Sequence, residues 1–221
     1  MIASWLGAMP RERFLREHFQ RAPLAQPALG RALAPLLNWG TVERLVVARA
    51  DMLLVRNSKL RREEAPATFA EVEALFRDGW SVVLRHTEEH DPGMRAVADA
   101  FQRDLPGDVV VQVYATPGDY HSFSWHYDVE DVFIVQTTGT KDYFLRENTV
   151  NPHPTLDAMP KDMQYERETT PTIGATLSAG DCLYIPRGWW HVAKAREDAL
   201  SISVGVLAPE ARRRSPAAAT Q

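Results

Sequence analysis

Three residues of this chain have the types and spacing to hold a metal ion. His126 and Asp128 stand two apart in His126-Tyr127-Asp128-Val129-Glu130-Asp131-Val132-Phe133, and His191 closes Trp189-Trp190-His191. Two imidazoles and one carboxylate on one face of an ion leave three positions open, a set suited to Fe(II) with a chelating co-substrate and dioxygen. Alternate residues of a strand point the same way, so the spacing predicts that His126 and Asp128 face an interior while Tyr127 faces out. His191 then has to arrive on a separate, later strand.

The residues around His191 provide for that. Gly180-Asp181 reads as a turn, Cys182-Leu183-Tyr184-Ile185 as an apolar strand, and Pro186-Arg187-Gly188 as a tight reversal from which the next strand opens with His191. Together with the His-x-Asp segment upstream, this pattern resembles the JmjC hydroxylases of the cupin superfamily, most closely their ribosomal-oxygenase branch. The resemblance runs from about Phe14 to Val206 and is most specific over His126 to Lys141 and Gly180 to His191. Phe14-Leu15-Arg16-Glu17-His18-Phe19, leading to Arg21-Ala22-Pro23-Leu24, matches more loosely.

The resemblance implies a mainly β fold, a double-stranded β-helix or jelly roll closed around the metal, with N-terminal helices packed outside it. It implies that His126, Asp128 and His191 hold Fe(II), with 2-oxoglutarate and O2 as co-substrates. It also makes Lys141, at the end of Phe133-Ile134-Val135-Gln136-Thr137-Thr138-Gly139-Thr140-Lys141, the partner of the distal carboxylate of 2-oxoglutarate. Electrostatics agrees, since burying that carboxylate without a cation or several donors costs several kcal/mol. Tyr114, Ser122 and Thr137 are further candidate hydroxyl donors, among which the sequence does not choose.

The implied activity is hydroxylation of an amino-acid side chain in a protein or peptide. A free amino acid, a small metabolite, or a 2-oxoglutarate-independent metal cupin reaction are the alternatives. Relatives in the branch hydroxylate Arg or His residues of ribosomal proteins and continue past the barrel with dimerisation and winged-helix portions, where here Ala208 to Gln221 follow. Glu130, Asp131, Asp157 and Asp162 would suit a cationic substrate, although Glu130 and Asp131 are read first as solvated loop carboxylates. His86, His90, His121 and His153 are expected to be ordinary hydrogen-bonded residues, Trp189 and Trp190 wall and core packing, and Cys182 a small buried hydrophobe.

Composition bounds the elements that must position these groups. At 221 residues and 45% hydrophobic, the chain suffices for one domain, expected over 1–207, with a helical or mixed part at 1–108, a jelly-roll core at 109–207 and a disordered tail at 208–221. A net charge of −4 and a pI near 6.0 give no electrostatic footprint for nucleic acid. The basic run Arg212-Arg213-Arg214 falls in the tail. One cysteine excludes an internal disulfide and a Cys-based zinc cluster, and no apolar run approaches the roughly 18 residues of a spanning helix. A soluble, cytoplasmic protein is expected; oligomeric state is not readable.

Along the chain, Pro10 before Arg11-Glu12-Arg13 opens a short amphipathic helix, and Met52-Leu53-Leu54-Val55 reads as a strand. Thr68 and Glu71 form a capping box before Phe69, Val72, Leu75 and Phe76 at helical spacing, ended by Gly79. Trp80 to Leu84 returns to strand, and Asp91-Pro92 starts a helix bearing Met94, Val97, Ala98 and Phe101. Thereafter Val109–Tyr114, Val132–Gln136, Asp142–Leu145, Cys182–Ile185 and Leu200–Val204 are strands following strands, the pattern of an antiparallel sandwich or barrel. Asn148 to Thr172 has weak periodicity and reads as a long insertion near the mouth, a candidate lid.

Overall fold

The computed structural model describes residues 5–160 and 165–212. Local sequence sets its helix boundaries. In α1 (Arg11–Glu17) the preceding Pro10 takes the N-cap position, and Phe14 turns inward. In α2 (Trp39–Val47) the Asn38 side chain accepts from the Thr41 amide while the Thr41 hydroxyl accepts from the Asn38 amide. The same reciprocal box joins Thr68 and Glu71 ahead of α3 (Phe69–Arg77). At α4 (Pro92–Asp104) the Asp91 carboxylate accepts from the amides of Gly93 and Met94, and Pro92 occupies the turn where no amide is needed. The side-chain caps of α2, α3 and α4 each satisfy donors the helix cannot, and each is worth about 1 kcal/mol.

Among the described residues, eleven strands form two antiparallel sheets. They are β1 (Leu24–Gln26), β2 (Asp51–Arg56), β3 (Lys59–Leu60), β4 (Ser81–Arg85), β5 (Asp108–Thr116), β6 (Asp131–Thr138), β7 (Lys141–Arg146), β8 (Thr172–Leu177), β9 (Cys182–Ile185), β10 (Trp190–Ala195) and β11 (Ala199–Leu207). The large sheet runs β1-β9-β6-β11-β5-β4-β2-β3 and the small one β10-β7-β8. This is the mainly β, jelly-roll architecture expected.

Alternation assigns the two faces of the large sheet. Val82 and Leu84, Val111 and Val113, and Phe133 and Val135 point to the helices, where they meet Met94, Val97 and Phe101 in one core. Val132 and Ile134 point the other way and pack with Tyr143, Leu145 and Leu177 of the small sheet. The interior between the sheets is therefore a second, smaller apolar layer. The site lies at its open end.

Residues before 108 supply strands as well as helices, and β1 to β4 pair into the same sheet as the jelly-roll strands. The fold departs from the sequence reading in three places. The insertion ends in β8, an edge strand in which only Leu177 is buried, so no alternation announced it. The start of the expected disordered tail is ordered: Ala208 and Ala211 are buried, Pro209–Arg212 is a 3-10 turn, and Arg212 pairs with Asp108. Arg213, Arg214 and the remainder of the tail lie outside the described residues. Last, His126 and Asp128 are not on a strand. The segment after Pro117-Gly118 leaves the large sheet at the end of β5 and returns to it at β6, and its one ladder rung among the described residues is an isolated bridge from His126 to His191 of the small sheet.

Candidate metal centre

That rung fixes the site. The His126 amide donates to the His191 carbonyl at 3.1 Å and the His191 amide returns to the His126 carbonyl at 2.8 Å, while the Gly188 amide donates to the Asp128 carbonyl at 2.9 Å. Two segments far apart in sequence are thereby held together by backbone, before any side chain is considered. Gly188 has φ +82°, a conformation that suits glycine, and a Cβ there would lie 2.6 Å from the Pro152 carbonyl.

The side chains converge. His191 Nε2 is 3.4 Å from Asp128 Oδ2, the two imidazole centroids are 4.2 Å apart, and the candidate ligand atoms of His126, Asp128 and His191 all lie within 4.8 Å of one another. His126 Nδ1 is 2.7 Å from the Ser124 carbonyl and His191 Nδ1 is 3.0 Å from the Trp189 carbonyl. A carbonyl only accepts, so each Nδ1 carries the proton and each Nε2 presents a lone pair to the centre. Burial, and then the neighbouring His126, hold His191 down to about 4, against the pull of Asp128, which keeps the imidazole in its ligating neutral form. Two neutral imidazoles and a carboxylate fit a divalent ion bound on one face.

The pocket in front of these three residues is walled by Tyr114, Thr116, Ser122, Lys141, Tyr143 and Ser201, with Val132, Ile134 and Phe123 as its apolar part. Lys141 is 4% exposed; its ammonium is 3.4 Å from Ser201 Oγ and 5.8 Å from the Tyr114 ring centroid. It faces no carboxylate among the described residues, and burial lowers it to about 7. Tyr114 donates to Gln112 Oε1 at 3.1 Å, and the buried Thr116 hydroxyl has no partner among the described residues. Tyr143, Thr116 and Ser201 were not singled out from sequence; Ser201 stands opposite Tyr114 across β11 and β5, a register no local pattern reveals.

Thr137 is not part of this pocket. It falls on the helix-facing side of β6 with Phe133 and Val135, and its hydroxyl donates to the Leu200 carbonyl at 3.0 Å. Asp131 is likewise no solvated carboxylate: it is fully buried and accepts from the Tyr184 hydroxyl, from Gln20 Nε2 at 3.3 Å and from the Arg187 amide at 3.4 Å. It ties the loop of His126 to the reversal before His191. Burial pushes its carboxyl up, against those bonds. Glu130 is half-buried, and burial followed by the nearby Asp128 raises it to about 7. Asp157 accepts from the Thr155 hydroxyl, and Asp162 lies outside the described residues.

Tyr127 turns away from the interior as expected, yet is 1% exposed, because the insertion covers it. Its ring meets Trp190 edge-on at 4.7 Å, and its hydroxyl accepts from Asn151. Tyr165 stacks on Trp125 at 4.5 Å. None of the pocket walls comes from the described part of 148–172, which instead braces the ligand loop from behind. His86 lies 3.6 Å from Glu88, whose other oxygen accepts from the Val111 amide, and Cys182 is buried in the core.

Comparison with known proteins agrees with this geometry. The family model for the JmjC domain matches residues 86–213. The bifunctional lysine-specific demethylase and histidyl-hydroxylase NO66 of Drosophila sechellia is 24% identical over 214 residues, covering 92% of this chain and 33% of that protein. The protein of the same name from Dictyostelium discoideum is 30% identical over 135 residues, covering 59% and 26%. A solved structure of YcfD from Escherichia coli superposes with TM-score 0.67 at 24% identity, covering 91% of this chain and 54% of that one. The ribosomal oxygenase YcfD with cobalt and 2-oxoglutarate gives TM-score 0.60 at 25% identity, covering 91% and 52%. The chain thus spans about half the length of the solved relatives and a third or less of these two curated ones.

Proposed function

The chain belongs to the JmjC-domain family, and from that membership we propose that it is an Fe(II)- and 2-oxoglutarate-dependent oxygenase hydroxylating an amino-acid side chain of a protein or peptide. The observation that carries the reading is the placement of Lys141, a buried lysine with no carboxylate partner among the described residues, in the same pocket as His126, Asp128 and His191. A dicarboxylate chelating at the metal by one end brings the missing counter-charge with the other. The names of the relatives, histidyl-hydroxylase and ribosomal oxygenase, support a protein side chain as the target. A cytoplasmic setting belongs to the same proposal.

Fe(II) with 2-oxoglutarate and dioxygen supplies the power to hydroxylate an unactivated C–H bond, with succinate and carbon dioxide as co-products. The protein's own residues do the rest. His126, Asp128 and His191 would hold the metal through two Nε2 atoms and a carboxylate, and Lys141, with the hydroxyls of Thr116, Tyr143 and Ser201 beside it, receives the distal carboxylate. Val132, Ile134 and Phe123 keep water from the reacting centre. Asp128, with its side chain 37% exposed, marks the side from which substrate approaches.

Anaerobic titration with Fe(II) and 2-oxoglutarate tests the proposal. A metal-to-ligand charge-transfer band is expected, lost in His126→Ala and His191→Ala, followed by succinate on admitting oxygen. Absence of both band and succinate overturns the reading. Turnover without succinate points instead to a 2-oxoglutarate-independent cupin enzyme.

A further inference from the structure

One serine outside the pocket stands where a hairpin favours glycine. Asn57 and Ser58 are the two-residue turn between β2 and β3, since Arg56 pairs with Lys59, and both have positive φ, +48° and +67°. Such a turn favours asparagine first and glycine second. Asparagine tolerates the left-handed region, whereas serine occupies it at a conformational cost that glycine would not carry. An L-residue kept in that conformation directs attention to what its side chain does.

The Ser58 hydroxyl oxygen accepts from the Ser124 amide at 2.6 Å and lies 2.6 Å from the Ser124 hydroxyl. The amides of the same turn donate to the same loop, Asn57 to the His121 carbonyl at 3.2 Å and Ser58 to the Ser122 carbonyl at 2.9 Å. Among the described residues, these are the hydrogen bonds that tie 121–124 to the rest of the fold. Bonds to the small sheet lie on either side, from Asp119 and Tyr120 to Ala195 and from His126 to His191. The turn thus holds the stretch between those two anchors. Ser124 is also the residue whose carbonyl accepts from His126 Nδ1 at 2.7 Å.

We propose that Ser58 is a positioning residue for the metal centre: by holding Ser124, the β2–β3 turn fixes the Nδ1–H tautomer and the aim of His126. The two histidines differ in their need for such help. His191 is 8% exposed, and its acceptor, the Trp189 carbonyl, belongs to a reversal closed by the Trp189 amide on the Pro186 carbonyl. His126 is only half-buried, so packing fixes its ring less and the hydrogen bond to Ser124 fixes it more. If the Ser124 carbonyl drifts, a neutral imidazole is free to carry its proton on Nε2, which then has no lone pair for an ion. Ser58 itself does not line the pocket. The proposal rests on the metal reading for its consequence, while the tautomer of His126 is independent of any ion.

The test compares the full chain with Ser58→Ala and Ser58→Gly, the second of which suits the positive φ and should melt no lower than the parent. Nitrogen-15 shifts of His126 are read in the metal-free, histidine-labelled proteins at pH 8, with His126→Ala supplying the assignment. The parent should show the Nδ1–H tautomer, and both variants a mixture of the two tautomers. Mn(II) titration of the same samples, followed by electron paramagnetic resonance, should show affinity lowered about tenfold, a difference worth about 1.4 kcal/mol. A variant that keeps its fold and also keeps either the parental tautomer or the parental Mn(II) affinity overturns the proposal. Failure of the parent to bind Mn(II) overturns the metal reading instead, and the tautomer alone then decides the part played by Ser58.

Discussion

A buried ammonium that waits for its partner leaves a mark on stability as well as on binding. Burial brings Lys141 from its ordinary 10.5 to about 7. Below about 7 it is charged in both folded and unfolded chains, and the folded protein carries the whole desolvation cost. Between about 7 and 10.5 the unfolded chain holds more protons, so stability rises with pH across that window, by an amount on the order of a few kcal/mol. Lys141→Met should therefore raise the unfolding free energy by roughly 1–3 kcal/mol at pH 7, seen in urea denaturation. The same variant should weaken 2-oxoglutarate binding by roughly 100-fold, about 2.7 kcal/mol. In the natural protein, 2-oxoglutarate binding at pH 8 should take up close to one proton, measurable by calorimetry in buffers of different ionisation enthalpy. A variant no more stable than the parent, or one that keeps its 2-oxoglutarate affinity, would sink this account of Lys141.

Elements, rather than single side chains, decide how firmly the ligands are aimed. Gly188→Ala forces a Cβ toward the Pro152 carbonyl at a positive φ; it is expected to cost about 1–3 kcal/mol and to lower Mn(II) affinity by tilting the start of β10. Melting curves and metal titration check both. The brace behind the ligand loop has its own clasp. Burial alone would raise Glu168, but bonds from the amides of Thr149, Thr170 and Thr169 and from the Thr149 hydroxyl hold it at about 2. Glu168→Gln leaves some of those amides orphaned, so limited proteolysis should cut within 148–172 faster than in the parent, and equal rates would show the clasp to be dispensable. The sequence disclosed these elements unevenly. Thr68 with Glu71 and Asp91 with Pro92 announce helix starts through contacts only a few residues long, whereas the face that Thr137 takes was illegible because β6 is buried on both sides and so shows no polar alternation. His126, Asp128 and Lys141 stand in one local motif and His191 in another, which is why sequence alone could nominate them. Tyr143 and Ser201 join them only through sheet register.

For the whole molecule, the continuity of the large sheet matters most. β5 pairs with β4 on one side and β11 on the other, so the strands before residue 108 close an edge that would otherwise lie open beside the pocket. A fragment spanning 109–212 should lose its near-UV circular dichroism and bind a hydrophobic dye, since Val111, Val113 and Phe133 would lose Met94, Val97 and Phe101. A native-like near-UV spectrum from that fragment would show that the core stands without its N-terminal part. The backbone rung between His126 and His191 adds a consequence in time. A chain made from its N-terminus at about 5–20 residues per second exposes His126 and Asp128 seconds before His191 follows. Until it does, two ligands hang on a loop that lacks the rung to hold them in register, and a passing ion finds no cage. The full ligand set, and with it any choice of metal, is therefore expected only once His191 has joined the earlier pair.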